Sequence, residues 1–267
     1  AQQPPADGQK PAAGAPQTGE GRGGAEGRGR GRGGRGNPTQ PLNLDDHTGF
    51  ESIFDGTMKN WDGDQAYWKV ENGMLVGEAT AANPLKSNTF VIWRGGEPAD
   101  FELKLEVRMN STNSGIQFRS QQVEPGSPAG RGDEKTGKWV LRGYQADIDF
   151  NNEYTGMIYE ERGRMFLTER ANPRQAVNIA PDGSKRVIGN LERTPNELKA
   201  HVKPGDWNYV HLIARGNTLV NIVNGQVMSL IVDDDVKNRA TKGLIGLQLH
   251  VGPPMKIEYR NIYLKKI

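Results

Sequence analysis

Residues 143–150 read Gly-Tyr-Gln-Ala-Asp-Ile-Asp-Phe, and the alternation along this stretch decides the class of fold. Successive side chains of a β-strand point to opposite faces of the sheet. One set of alternate positions is hydrophobic and the other is polar: Tyr144, Ala146, Ile148 and Phe150 against Gln145, Asp147 and Asp149. The stretch therefore predicts a strand with one face in a hydrophobic core and the other lined by amides and carboxylates.

Two further stretches alternate in the same way. The polar members are Gln117 and Arg119 in residues 115–120, and Gln248 and His250 in residues 247–250. Their hydrophobic members are expected in the core together with Ile148: Ile116, Phe118, Leu247 and Leu249. An ordinary solvent-exposed sheet face would also alternate. Amides, Arg, Asp and His are, however, the groups that hydrogen-bond polyols and carry out acid-base chemistry, so we expect one shared polar surface.

The rest of the chain after residue 50 is dominated by short strand-like runs with turn residues between them. Asn72-Gly73 and Asn224-Gly225 are two-residue hairpin signals. About a dozen short strands with little helix predict two packed antiparallel sheets, an all-β sandwich of jelly-roll type. Residues 120–138 and 162–203 are polar and Pro-rich, and we expect long loops there.

The composition changes sharply near residue 40. Residues 1–40 contain 12 Gly and 5 Pro and none of Val, Ile, Leu, Met, Phe, Trp or Tyr, so they cannot form a core. We expect a disordered Gly/Arg/Pro-rich linker over residues 1–40 and a single β-sandwich domain over residues 41–267. The Arg-Gly repeats of residues 21–36 resemble RNA-binding segments only weakly, because no Phe or Tyr is interleaved with them.

Composition also excludes several classes of function. The chain has no Cys, which excludes disulfides, Cys-ligated metal centres and a thiol nucleophile. No stretch has the roughly 18 apolar residues of a membrane span. Residues 41–267 carry a net charge close to zero, so we expect no nucleic-acid partner. The opening Ala-Gln-Gln and the Pro/Gly-rich run that follows favour an exported, periplasmic or extracellular bacterial protein.

Metal-binding patterns are weak. The four His residues have no ligand spacing, and we expect His211 to be structural. Asp233-Asp234-Asp235 lacks the Gly and terminal Glu of a calcium loop, so an acidic turn in solvent is the favoured interpretation.

The chain resembles the 3-keto-disaccharide hydrolase domain family, a bacterial group with a concanavalin-like jelly-roll sandwich. The resemblance rests on motifs that follow one another in the same order: residues 49–56 before Trp61, 68–77, 100–103, 113–120, 143–148, 158–161, 205–208, 224–225, 243–250 and 260–262. It covers essentially the whole chain from Gly49 onward. The Gln-Ala-Asp of residues 145–147 stands where many members carry Glu at the first position and Gln at the third.

The resemblance implies cleavage of 3-keto-glycosides by removal of the C2 proton, elimination of the group at C1 and hydration. This chemistry needs a base near C2, a donor to the enolate oxygen and an acid for the leaving oxygen. We assign the base to His250 or Asp147, the donor to Arg119 and the acid to Glu160. A divalent cation, if the reaction uses one, would lie near Asp147, Glu160 and His250.

The expected partner is a carbohydrate, either an oxidised disaccharide or a glycoside. Expected substrate-binding residues are Gln117, Gln145, Asp149, Tyr159, Gln248 and Trp139. The alternative function is a non-catalytic carbohydrate-binding or adhesion module, in which the same face and aromatic groups such as Trp139 would hold a sugar ring.

Overall fold

The alternating stretches lie in one of the two stacked sheets of a computed structural model, which describes residues 43–128, 137–194 and 196–267. The expectation for residues 1–40 lies outside this range. The first sheet has ten strands: β1 (Glu51–Ser52), β3 (Trp68–Glu71), β4 (Met74–Ala79), β6 (Phe101–Met109), β11 (Gln175–Ile179), β12 (Lys185–Asn190), β13 (Asn208–Arg215), β14 (Thr218–Val223), β15 (Gln226–Asp233) and β17 (Met255–Lys266).

The second sheet has seven strands in the spatial order β10-β9-β8-β7-β16-β5-β2. Their bounds are β2 (Trp61–Asp62), β5 (Thr89–Trp93), β7 (Asn113–Gln122), β8 (Leu141–Asp149), β9 (Ile158–Glu161), β10 (Met165–Phe166) and β16 (Leu244–Leu249). The predicted sandwich is confirmed. Neighbouring strands are antiparallel except for β11 and β15, which pair in parallel. The helical structure described is one 3-10 turn at Lys199–His201, and within the described residues no helix is long and apolar enough to cross a membrane.

The two predicted hairpins have the backbone geometry that their sequences demand. Asn224 and Gly225 both have positive φ, 49° and 80°, which is the conformation of a type I′ turn. The turn joins β14 to β15 in antiparallel register. The expectation of a long loop over residues 162–203 is wrong, because β10, β11 and β12 lie within it. Burial alternates along the five residues of β11, but Gln175 is one of the buried positions and Ala176 and Val177 are adjacent, so the sequence itself shows no alternation of hydrophobic and polar residues.

The core lies between the sheets and contains the residues that alternation predicted. Ile116, Phe118, Ile148, Leu247 and Leu249 are all buried there. An aromatic contact crosses between the sheets: the ring of Phe101 in the ten-stranded sheet lies edge-on to Phe118 at 6.2 Å. Within the seven-stranded sheet, Phe118 stacks on Tyr144 at 5.6 Å. Edge-on and offset ring pairs of this kind stabilise a core beyond the area they bury.

A bulge in β7 changes the alternation at Arg119. The register with β8 shifts between Phe118 and Gln121, and Arg119 has a φ of 46°. A Cβ at Gly243 would lie 2.5 Å from the carbonyl carbon of Arg119, so the glycine immediately before β16 leaves room for the bulge. The extra residue places Ser120 on the same face as Gln117. The hydrogen bond from the Ser120 hydroxyl to Gln117 Oε1 shows this placement.

The prediction that Arg119 shares a face with Gln117 is therefore wrong. Its guanidinium reaches across to the ten-stranded sheet and is 1% exposed. Nε donates to the carbonyl of Ala99 at 2.8 Å, Nη1 to the carbonyl of Gly216 at 2.8 Å, and Nη2 to Asp100 Oδ1 at 2.9 Å. Arg119 joins the two sheets at one end of the sandwich.

Arg119→Lys should lower the free energy of unfolding by about 2–4 kcal/mol, because one ammonium cannot serve three acceptors in different directions and buried carbonyls are left unpaired. Urea denaturation measures the change. Arg142→Lys, at an exposed position, is the control and should stay within about 0.5 kcal/mol of wild type. Equal stability of the two variants would show that Arg119 does not tie the sheets together.

Candidate functional site

A groove of about 530 Å³ lies on the outer face of the seven-stranded sheet. We call it the polar groove and define it by six lining side chains: Gln145, Asp147, Tyr159, Glu161, Gln248 and His250. They come from three different strands or strand ends, β8, β9 and β16. The structure thus brings together most of the polar residues that alternation singled out.

The floor of the polar groove is not an ordinary solvent-exposed face. Gln248 is 0% exposed, Gln145 2% and Asp147 6%. Beside the groove a small hydrophobic cluster lies on the same sheet and consists of Phe90, Ile92 and Leu141, with Trp139 and Leu244 packed against it. Polar side chains that are buried must be hydrogen-bonded or serve a ligand, since burial without a partner costs free energy.

A chain of hydrogen bonds runs across the strands to Asp147. The Ser120 hydroxyl donates to Gln117 Oε1, Gln117 Nε2 donates to Gln145 Oε1 at 3.0 Å, and Gln145 Nε2 donates to Asp147 Oδ1 at 2.7 Å. Each group donates to the next, so the bonds polarise one another in one direction. Gln117 and Gln145 therefore position the carboxyl group of Asp147, and Gln117 lies beneath the groove.

The environment of Asp147 favours its protonated form. Burial raises the pKa of Asp147 well above its ordinary value, and the charges of Glu161 and Asp149 raise it further, against the opposing hydrogen bond from Gln145. A raised pKa keeps the proton on a carboxylic acid to higher pH, and such a group can donate that proton to a substrate oxygen.

The ring of His250 is held by a backbone carbonyl. Its Nδ1 lies 2.6 Å from the carbonyl oxygen of Val251. A carbonyl oxygen only accepts, so Nδ1 carries the proton and Nε2 is the basic nitrogen of the neutral ring. His250 thus has the tautomer of a general base.

Gln248 presents the second unusual feature of the groove floor. Neither its Nε2 nor its Oε1 has a hydrogen-bond partner among the described residues, although both atoms are buried. An unsatisfied buried amide costs about 1–3 kcal/mol, and such groups in a cavity are most simply explained by a ligand with complementary oxygens.

Asp149 lines the cavity, but its carboxylate serves the neighbouring loop. Oδ1 accepts from the backbone N–H groups of Tyr154 and Thr155, each at 2.8 Å, and Oδ2 accepts from that of Glu153 at 3.0 Å. This carboxylate fixes the wall of the groove, and its expected contact with substrate stays a prediction.

Glu160 and Trp139 lie outside the polar groove. Glu160 pairs with Tyr144 across β8 and β9, so its side chain points to the other face, where Oε2 accepts from Arg164 Nε at 2.5 Å. The grouping of Glu160 with Asp147 is wrong for this reason. Trp139 packs against the hydrophobic cluster beside the groove and donates to Asp62 Oδ1 at 2.6 Å.

The adjacent Glu161 is the groove residue that the sequence reasoning missed. Register places Tyr159 opposite Gln145 and Glu161 opposite Gly143, on the polar face. The hydrophobic residue Ile158 was the signal in the sequence. Ile158 pairs with the core residue Ala146, so alternation from Ile158 puts Glu160 on the core side and Glu161 on the groove side.

The cation site proposed for Asp147, Glu160 and His250 does not assemble, since Glu160 faces away. In the part of the chain that the structure describes, no group of three His, Cys, Asp or Glu side chains could hold a metal ion.

The interpretation of Asp233-Asp234-Asp235 as an acidic turn in solvent is wrong. Asp233 and Asp235 are each 1% exposed and pair with Arg164. His211 bonds Glu102 Oε2 at 2.8 Å on the outer face of the ten-stranded sheet.

Comparison with known proteins gives one family match. A family model described as the 3-keto-alpha-glucoside-1,2-lyase-like domain matches residues 49–265. This match confirms the resemblance drawn from the motifs. The search of curated proteins returned no match.

Solved structures with similar folds include two candidate glycosyl hydrolases from Parabacteroides distasonis. One has a TM-score of 0.51 at 16% identity, covering 82% of this chain and 94% of its own; the other has 0.48 at 17%, covering 82% and 99%. The carbohydrate-binding module CBM66 from Bacillus subtilis gives 0.46 at 12%, covering 79% and 97%. The likeness with a TM-score of 0.51 supports the β-sandwich fold.

Gly115→Ala should disorder the hydrogen-bond chain, because a Cβ at Gly115 would lie 2.4 Å from Cδ of Gln145. We expect a loss of about 1–3 kcal/mol in the free energy of unfolding and displaced NMR signals of the Gln145 side-chain amide. Gly189→Ala is the matched control, since the nearest atom to its Cβ is 3.7 Å away. An unmoved Gln145 amide signal would contradict the role of this glycine.

Asp147→Asn should become stabilising relative to wild type as pH rises. The folded-state pKa of Asp147 is raised, so the native state holds the proton more tightly and wild type loses stability above the unfolded-state pKa of about 3.9. The loss is complete above the folded-state pKa. Urea denaturation of both proteins from pH 4 to pH 8 measures the difference, which should grow with pH; parallel curves would contradict the raised pKa.

Proposed function

The chain belongs to the 3-keto-alpha-glucoside-1,2-lyase-like domain family, and on that premise we propose that it cleaves 3-keto-glycosides in the polar groove. The observation that carries the proposal is that three groups line one cavity. They are the buried carboxyl group of Asp147, the ring of His250 held by the carbonyl of Val251, and the side-chain amide of Gln248, which has no hydrogen-bond partner among the described residues. An acid, a base and a neutral hydrogen-bond donor are the three groups that the reaction requires.

The ketone at C3 makes the reaction accessible to side chains. It acidifies the proton on C2, and the C–H electron pair forms an enolate when a base removes that proton. Collapse of the enolate restores the ketone, forms a double bond between C1 and C2, and breaks the C1–O bond, whose electron pair leaves with the glycosidic oxygen. An acid protonates this oxygen; water then adds at C1 while C2 regains a proton.

His250 is the proposed base. With Nδ1 donating to the carbonyl of Val251, Nε2 holds the lone pair that would accept the C2 proton. Asp147 is the proposed acid, because its raised pKa keeps a proton for the leaving oxygen. This assignment differs from the expectation of Glu160 as acid, since Glu160 lies behind the sheet.

Gln248 takes the place expected for Arg119 as the donor to the enolate oxygen. Its Nε2 is buried on the groove floor without a partner, so a substrate oxygen there would gain a hydrogen bond and relieve the cost of the unpaired amide. A donor that is fixed before the charge develops stabilises the enolate without reorganisation. Tyr159 and Gln145, also in the groove, would contact the rest of the sugar.

The test is incubation of the protein with a 3-keto-glucoside and with its unoxidised parent, followed by product detection. Only the keto compound should react, because without the ketone the C2 proton is far too weakly acidic. Asp147→Asn and His250→Gln should each lower turnover about 10²- to 10⁴-fold, and Gln248→Met about 10²- to 10³-fold.

Glu160→Gln is the control for these variants. It lies next to Glu161 in the chain but bonds Arg164, so it should lower the melting temperature while leaving turnover of the folded protein near wild type. Equal cleavage of keto and parent glycosides would contradict the elimination chemistry. Saccharide binding without any turnover would instead favour the non-catalytic carbohydrate-binding module.

A further inference from the structure

A second cavity, of about 430 Å³, lies where β8, β9 and the segment after β15 meet. We call it the cationic cavity. Six of its lining residues carry a positive charge: Arg119, Arg142, Arg162, Arg164, Lys237 and Arg239. The function proposed above uses none of them.

Two of the six cations are neutralised inside the protein. Arg164 pairs with Glu160 at 2.5 Å, with Asp233 at 2.6 Å and with Asp235 at 3.3 Å. Arg119 pairs with Asp100 at 2.9 Å. Glu160, the partner of Arg164, also lines the cationic cavity.

The other four cations make no ion pair with a carboxylate among the described residues. Two of them are held in position by neutral oxygens: Arg142 donates twice to Gln121 Oε1, at 2.8 and 3.2 Å, and Arg239 donates to the carbonyl of Asp233 at 3.0 Å. Guanidinium groups positioned by neutral partners keep their charge available, and their planar fork matches carboxylate, sulfate and phosphate oxygens.

The cationic cavity adjoins the polar groove. Glu161 lines both, and β8 runs from one to the other, with Arg142 and Gly143 at the cationic cavity and Gln145 and Asp147 in the groove. At about 3.3 Å per strand residue, Arg142 and Asp147 are roughly 16 Å apart along β8. That separation exceeds one sugar ring, so a ligand reaching both sites is longer than a single sugar.

We propose that the cationic cavity is a subsite for an anionic substituent, a carboxylate, sulfate or phosphate, carried by the saccharide whose reacting sugar lies in the polar groove. The proposal rests on the function proposed above for the choice of a saccharide. The substrate class is then an acidic oligosaccharide or glycoside rather than a neutral one.

The test compares the double variant Arg142→Gln/Lys237→Gln with Arg186→Gln/Lys266→Gln. All four positions are exposed, so folding should survive, and both variants lose the same charge. Calorimetric titration with a sulfated or uronate-containing oligosaccharide, its neutral counterpart and inorganic sulfate gives the affinities at two salt concentrations. We expect the cavity variant to weaken binding of the acidic saccharide at least tenfold and to leave the neutral one unchanged.

Four results would overturn the proposal. The first three are equal affinity of wild type for acidic and neutral saccharides, equal weakening in both double variants, and tighter binding of an oligonucleotide than of the acidic saccharide. Inorganic sulfate that binds as tightly as the sulfated saccharide would assign the cavity to a free anion and also overturn it.

Asp147→Asn separates this proposal from the proposed function. It removes the proposed acid and keeps all six cations of the cationic cavity, so turnover should fall while the preference for the acidic over the neutral saccharide remains. If no keto-glycoside is cleaved but charge-dependent binding persists, the proposed function fails and the subsite stands. If cleavage occurs without any preference for acidic saccharides, the subsite fails and the function stands.

Discussion

The chain of hydrogen bonds from Ser120 through Gln117 and Gln145 to Asp147 sets the geometry of the polar groove. Burial of amides and a carboxyl group is costly unless each finds a partner. On the outer face of the seven-stranded sheet, each of these side chains is the hydrogen-bond partner of its neighbour, so the position of one group fixes the position of the next. Gly115 permits the arrangement, because a side chain there would occupy the place of Gln145.

The two faces of strands β8 and β9 differ in whether their buried polar groups are paired. On the groove side, burial leaves Asp147 with a raised pKa and Gln248 without a partner. On the other side Arg164 meets three carboxylates, a buried cluster whose loss would leave charges uncompensated. Adjacent residues of β9, Glu160 and Glu161, therefore belong to different environments: Glu160 pairs with Arg164 and supports the fold, whereas Glu161 faces the polar groove.

The sequence was sufficient for the sandwich, the hairpins and the shared face of Gln145, Asp147, Gln248 and His250, because strand alternation is a local property. Alternation failed at Arg119, where a bulge adds one residue and depends on Gly243, immediately before the neighbouring strand β16. In β9 the grouping of Glu160 with Asp147 ignored alternation from Ile158, which puts Glu160 and Glu161 on opposite faces, as the register with β8 does. Hydrogen-bond partners, such as the pairing of Asp233 with Arg164, join residues far apart in sequence and needed the folded chain.

The central claim is that a saccharide binds over the floor of the polar groove, and side-chain amide NMR tests it most directly. On titration of the Asp147→Asn protein with a 3-keto-glucoside, the amide signals of Gln248 and Gln145 should shift together. The amide of Asn208, which donates to the carbonyls of Lys203 and Asp206 away from the groove, should not move. Saturable binding with the Gln248 and Gln145 signals unchanged would place the ligand elsewhere and contradict the account.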